Sequence, residues 1–203
     1  MGVFDLIRNF IGAGKDSVNV TARSLHDFSI KRSDTGEVLK FSDFKGKVML
    51  CSNVASKCGL TDEMYDVLGS MAAKFSDDLI VLAFPCDQFM KQEFNDPSET
   101  CSFVSKKLSA YPSVYGKSLI LTEKVNVNGT DSHPIFQFLK FNSSLGSSGG
   151  KTDPISWNFG KFLVDREGRV VRYFGPKDSQ LESGIADVVS GKLVGSDPKI
   201  FPK

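Results

Sequence analysis

The sequence predicts one α/β domain built on a mixed central sheet with helices on its faces. Two short apolar runs, residues 47–55 and 79–84, flank a stretch in which Met64, Tyr65, Leu68, Met71, Ala72 and Phe75 recur every three or four residues. Strand, amphipathic helix and strand in that order form a crossover unit, which makes the two strands parallel. Residues 161–165 and 169–174 flank the turn Arg166-Glu-Gly168 and read as a hairpin that must join the same sheet. The 203 residues can bury a full core, and 17 Phe supply large apolar area for it.

The remaining elements follow in chain order. Apolar residues at 3, 4, 6, 7, 10 and 11 suit a short amphipathic helix in an extension spanning residues 1–23. Asp5 and Arg8 interrupt that run, which disfavours a secretory leader, and Leu6 stands where a myristoylation pattern needs Ser or Thr. Alternation over residues 27–32 and 37–41 around Ser33-Asp-Thr-Gly36 predicts an amino-terminal β-hairpin. Thr61 is the expected N-cap of the first core helix, although Met64 stands where a capping box would place Glu. Helices are expected over residues 97–108, entered from Asp96 through Pro97, over 133–141 and over 179–189. The Ser- and Gly-rich residues 142–151 read as a flexible loop and residues 191–203 as a loose tail, leaving 24–190 as the domain proper.

Composition removes several function classes. Lys and Arg number 25 against 24 Asp and Glu, with no run of five like charges, so no nucleic-acid surface is expected. No apolar run nears the ~18 residues of a membrane span, and the chain is expected to be soluble and cytoplasmic, organelle targeting by the extension remaining open. The sequons at Asn19, Asn128 and Asn142 carry no weight without a secretory route. Four cysteines without a C-x-x-C pair make neither a disulfide scaffold nor a zinc site. A Cys–His hydrolase would have to use His26 or His133, the only histidines, and neither flanks a nucleophile.

Cys58 is the thiol placed for chemistry. It falls between a buried strand and a helix, where the helix dipole and unpaired backbone N–H groups favour the nucleophilic thiolate; Lys57 adds positive charge and Gly59 permits a tight turn. The bland alternative is a structural thiol, the reading adopted for Cys51 within its strand. Cys86, at the end of the second strand, and Cys101, in the 97–108 helix, are candidates for a resolving thiol that meets Cys58 after oxidation.

Three blocks carry a resemblance. Lys47-Val-Met-Leu-Cys-Ser-Asn-Val-Ala-Ser-Lys-Cys-Gly-Leu-Thr61, then Leu82-Ala-Phe-Pro-Cys-Asp-Gln-Phe89 with Gln92-Glu93, then Trp157-Asn-Phe-Gly-Lys-Phe-Leu-Val-Asp-Arg-Glu-Gly168 are similar to the signature blocks of the glutathione peroxidase family, in its order. The resemblance implies a thioredoxin-like fold, with Cys58 as the peroxidatic residue and Gln92, Trp157 and Asn158 as its catalytic partners. It implies reduction of hydrogen peroxide and organic or lipid hydroperoxides through a sulfenic acid. It further implies no metal or bound cofactor, with glutathione or a thioredoxin-type protein as reductant. Asp87, Phe94 and Gly160 depart from the family's usual Asn, Pro and Thr. The family's resolving cysteine would fall near Ser105, whereas this chain offers Cys101 one helical turn earlier. Residues 129–157 lack the long loop of tetrameric members, which implies a monomer. Gln88 is read as a structural amide. The competing readings are a redox sensor that passes a disulfide to a partner, and a thioredoxin-like interaction module with a dead site.

Overall fold

A computed structural model describes residues 16–17 and 20–199 of the chain. The helix expected over the first residues lies outside the described part. Five strands form the central sheet: β4 (Val48–Val54), β5 (Leu79–Pro85), β6 (Leu119–Leu121), β9 (Lys161–Val164) and β10 (Val170–Phe174). Their order is β10-β9-β4-β5-β6; β4, β5 and β6 run parallel, and β9 and β10 close the other side antiparallel. Strand β4 is central and buried along its whole length, as its near-continuous apolar run requires.

Side-chain alternation along these strands separates two cores. Val48, Leu50 and Val54 of β4 with Val81 and Ala83 of β5 face one layer, formed with helices α1 (Thr61–Lys74) and α4 (Leu181–Val189) and with residues of α2 (Pro97–Lys107). Met49 and Cys51 with Leu82 and Phe84 face the other, formed with α3 (Pro134–Phe141) and with Leu25, Ile30 and Phe41. The hairpin of β2 (Ser29–Lys31) and β3 (Val38–Lys40) is present as its own two-stranded sheet beside that second core.

Three expectations change and one strand is new. Thr61 is the first helical residue of α1, not its N-cap; Leu60 holds that position without a side-chain bond, and the Thr61 hydroxyl donates to the Ala55 carbonyl at 2.7 Å, tying the helix start to the strand end. The 142–151 loop is partly ordered, because β7 (Gly146–Ser147) and β8 (Lys151–Thr152) pair with β1 (Asp16–Ser17) in a small sheet. The strand β6 had no counterpart in the sequence reading: three residues are too few for a periodic signal. The tail is held over its described part, with the Gly195 N–H donating to Asp165 at 2.9 Å and the Lys199 N–H to Asn142 at 2.8 Å.

Candidate active site

Three turns at one end of the sheet carry the residues singled out by sequence. The first leaves β4 and enters α1. Cys58 occupies it, 8% exposed, with the Leu60 N–H directed at its sulfur from 3.5 Å. That amide belongs to the start of a 14-residue helix, whose first donors have no partners within the helix and whose dipole presents its positive end here. The ammonium of Lys57 does not sit free beside the sulfur: it lies 4.3 Å from the centroid of the Phe94 ring. Phe94 therefore has a use here, holding Lys57 over the face of its ring.

The second turn follows β5 and presents Gln92. Its backbone passes through two consecutive left-handed residues, Met90 at φ 59° and Lys91 at φ 53°. Non-glycine residues there cost about 1–3 kcal/mol each. Hydrogen bonds offset that cost. The Gln88 side-chain oxygen accepts from the Val127 and Asn128 amides at 2.7 and 2.9 Å, and its NH2 donates to the Asn128 carbonyl at 2.8 Å. Gln88 is thus the structural amide expected. Asp87 accepts from the Glu93 N–H at 3.2 Å, so its carboxylate braces this turn. The Lys57 N–H donates to the Gln92 carbonyl at 2.8 Å, which sets the second turn directly against the first.

The third turn precedes β9 and holds Trp157 and Asn158. Asn158 is fully buried, and its NH2 donates to the Gln92 side-chain oxygen at 2.9 Å. Since that oxygen is engaged, the NH2 of Gln92 is the end left to donate elsewhere. Trp157 packs against both cores, its ring 5.9 Å from that of Phe89. A Cβ at Gly160 would lie 2.9 Å from the Tyr173 hydroxyl and 3.1 Å from Ile155, so a side chain there would make the Tyr173 ring shift.

One residue in this arrangement escaped the sequence reading. Asn53, buried within β4, donates from its NH2 to the Trp157 carbonyl at 3.1 Å and accepts at its own carbonyl from the Phe159 N–H at 2.7 Å. The available signal was a polar side chain inside an otherwise apolar run.

The other thiols differ from Cys58. Cys86 is fully buried in the second core, and desolvation pushes its pKa up to about 11. Cys51 is likewise buried within its strand, where desolvation holds its pKa far above the usual thiol range. Cys101 is half-buried on α2 and packs against the same core as Cys58. The buried Tyr115 hydroxyl faces it, its ionisation held up first by burial and then by that thiol. Glu93 is buried beside Gln92; desolvation raises its pKa, while the Ser56 hydroxyl and the bonds it accepts from the Phe94 N–H and Thr100 hydroxyl act the other way. Neither histidine joins the three turns. His133 caps α3 by accepting from the Ile135 N–H, and His26 lies in the 25–27 turn beside the second core.

A family model described as glutathione peroxidase matches residues 25–140. The chain is 38% identical over 174 residues to Glutathione peroxidase 1 of Caenorhabditis elegans, covering 84% of this chain and 99% of that protein. It is 40% identical over 177 residues to a Mesembryanthemum crystallinum protein named "Probable phospholipid hydroperoxide glutathione peroxidase", covering 86% and 94%. The crystal structure of T. cruzi GPX1 matches with a TM-score of 0.61 at 28% identity, covering 85% of this chain and 100% of that one. The architecture is a thioredoxin-like fold.

Proposed function

On the premise that this chain belongs to the glutathione peroxidase family, we propose that Cys58 is its peroxidatic residue and that Gln92, Trp157 and Asn158 complete the catalytic group. The protein is a thiol-dependent peroxidase. Cys58 attacks one oxygen of the hydroperoxide as the thiolate; the O–O bond breaks, the second oxygen leaves as water or an alcohol after gaining a proton, and the sulfur becomes a sulfenic acid. The indole N–H of Trp157 and the free NH2 of Gln92 are the neutral donors suited to the thiolate and to the departing oxygen. A thiol then condenses with the sulfenic acid, releasing water, and a second thiol reduces the resulting disulfide.

The observation that carries this reading is the Asn158-to-Gln92 hydrogen bond combined with the Lys57-to-Gln92 backbone bond, which joins all three turns beside Cys58. The substrates are hydrogen peroxide and organic or lipid hydroperoxides, and the reductant is glutathione or a thioredoxin-type protein. Of the two candidate resolving thiols we favour Cys101, because it packs on the same core as Cys58 whereas Cys86 lies on the opposite one. A monomer is the working oligomeric state. Among the described residues no helix is long and apolar enough to cross a membrane.

Stopped-flow consumption of hydrogen peroxide with glutathione or thioredoxin, followed by mass spectrometry of the oxidised protein, tests the proposal. Steady turnover abolished by Cys58→Ser supports it, and a Cys58–Cys101 disulfide identifies thioredoxin as the reductant. A single stoichiometric oxidation with no turnover under either thiol would instead make the protein a sensor.

A further inference from the structure

The turn bearing Trp157 and Asn158 is bent at Phe159, a non-glycine residue held at φ 65°. Such a conformation persists only where the surroundings impose it. Asn53 fixes the Trp157 carbonyl and the Phe159 N–H, as described above, and leaves the Phe159 carbonyl free. That carbonyl accepts a hydrogen bond from the ammonium of Lys161 at 2.8 Å.

Lys161 opens strand β9 and is 1% exposed. Its nitrogen also donates to the Pro176 carbonyl at 2.8 Å and lies 3.6 Å from the Met64 sulfur. None of these contacts is a carboxylate. A buried ammonium is costly, and three neutral partners are poor compensation for lost water, so a lysine at this position needs a reason beyond packing.

We infer that Lys161 is a positioning residue for the proposed peroxidase chemistry: by gripping the Phe159 carbonyl it holds the left-handed turn that presents Asn158 to Gln92. The inference rests on the catalytic role proposed for those two amides. Its ammonium also ties that turn to Pro176, after β10, and to Met64 on α1, so the three segments around the turn share one anchor.

A pH signature follows from the burial of the ammonium. Desolvation lowers the Lys161 pKa to about 8, against the opposing pull of Asp178 and Glu63. Those carboxylates carry their own cations, Arg172 at 3.5 Å from Asp178 and Lys177 at 2.6 Å from Glu63. Tyr173, beside Gly160, has its pKa raised by burial and stays neutral between about pH 7 and 9. Loss of the proton weakens the grip on the Phe159 carbonyl, because charge-assisted hydrogen bonds are about twice as strong as neutral ones.

Trp157 is the one tryptophan of the chain, which makes its fluorescence a direct report on this turn. In Cys58→Ser protein, which lacks that thiol, Trp157 emission is expected to change with a midpoint near pH 8. The change should be absent when Lys161→Met is added. In the wild-type background, Lys161→Met should slow Cys58 oxidation by hydrogen peroxide on the order of 10- to 100-fold with unaltered circular dichroism. The wild-type-to-mutant rate ratio should narrow as the pH rises from 7 to 9. A folded Lys161→Met protein that oxidises at the wild-type rate overturns the inference. Should that variant fail to fold, emission from Cys58→Ser protein that stays flat between pH 7 and 9 overturns it equally. Peroxide consumption surviving in Cys58→Ser would instead sink the peroxidase assignment itself, a separate outcome.

Discussion

Two neighbouring parallel strands, β4 and β5, each lead into a turn with a cysteine, and the two thiols meet opposite fates. Past β4 the chain runs on for a few residues and meets the start of α1, so Cys58 keeps an 8% opening and an amide N–H aimed at its sulfur. Past β5, Cys86 follows the strand directly and turns into the second core, where it is fully buried; its thiol faces the Gln88 side-chain oxygen at 3.8 Å as a donor. A strand end therefore does not by itself make a reactive thiol. The difference comes from enclosure: Cys86 is sealed in the second core, and that desolvation outweighs the Gln88 and Val127 backbone N–H groups that act the other way on its thiol.

The comparison can be broken most directly by exchanging the two sulfurs for oxygen. Cys58→Ser should lower peroxide turnover by more than about 10³-fold, whereas Cys86→Ser should leave it within about twofold, as steady-state assays would show. Equal losses would mean that the second thiol shares the chemistry. The donors come next. Asn158→Ala removes the bond to the Gln92 oxygen and should reduce the rate of Cys58 oxidation by about 10²-fold, the range seen when one preorganised donor is lost. Unchanged oxidation kinetics in a folded protein would detach the third turn from the reaction.

A smaller effect isolates the helix start. Leu60→Pro removes the N–H aimed at the sulfur together with the Leu60 side chain packed on the first core, and asks the backbone to move from its φ of −93° toward the proline value of about −65°. Alkylation of Cys58 by iodoacetamide at neutral pH should slow about tenfold, the value of one hydrogen bond to a charged group. The least effect belongs to Cys86. Its folded pKa, about 11, lies above the 9.0 of an unperturbed thiol, so the folded state retains the proton more tightly. Its contribution to stability is complete below pH 9.0 and is lost as the pH climbs through about 11. Urea midpoints should show the gap between wild type and Cys86→Ala narrowing across that window; a constant gap would deny the thiol its strong burial.

Much of this was legible along the chain. The parallel crossover, both hairpins, the helices beginning at Pro97 and Pro134 and the placement of Cys58 all rest on local periodicity, caps and turn residues, which neighbouring residues impose on one another. Gln88 was readable as structural, and the three similar blocks singled out Gln92, Trp157 and Asn158. Other features left no such trace. Strand β6 is three residues long and becomes a strand only by pairing with Val81, Leu82 and Ala83. Strand β1 exists because Asp16 and Ser17 lie against Thr152 and Lys151, far along the chain. The role of Asn53 was hidden because a polar residue in a buried strand announces a hydrogen bond without naming its partner, here 104 positions away.

By itself the sequence determined the strands and helices long enough to carry a local pattern, and which sulfur stands at a helix entrance, since those depend on side chains a few residues apart. Only the tertiary structure decided that Asn158 would reach Gln92 across 66 positions, that Lys57 would turn to Phe94, and that Cys86 and Cys101 would fall on opposite sides of the sheet. Hydrogen-bond donors act over about 3 Å, and burial is set by whichever segments close over a group. Both are fixed when distant parts of the chain meet.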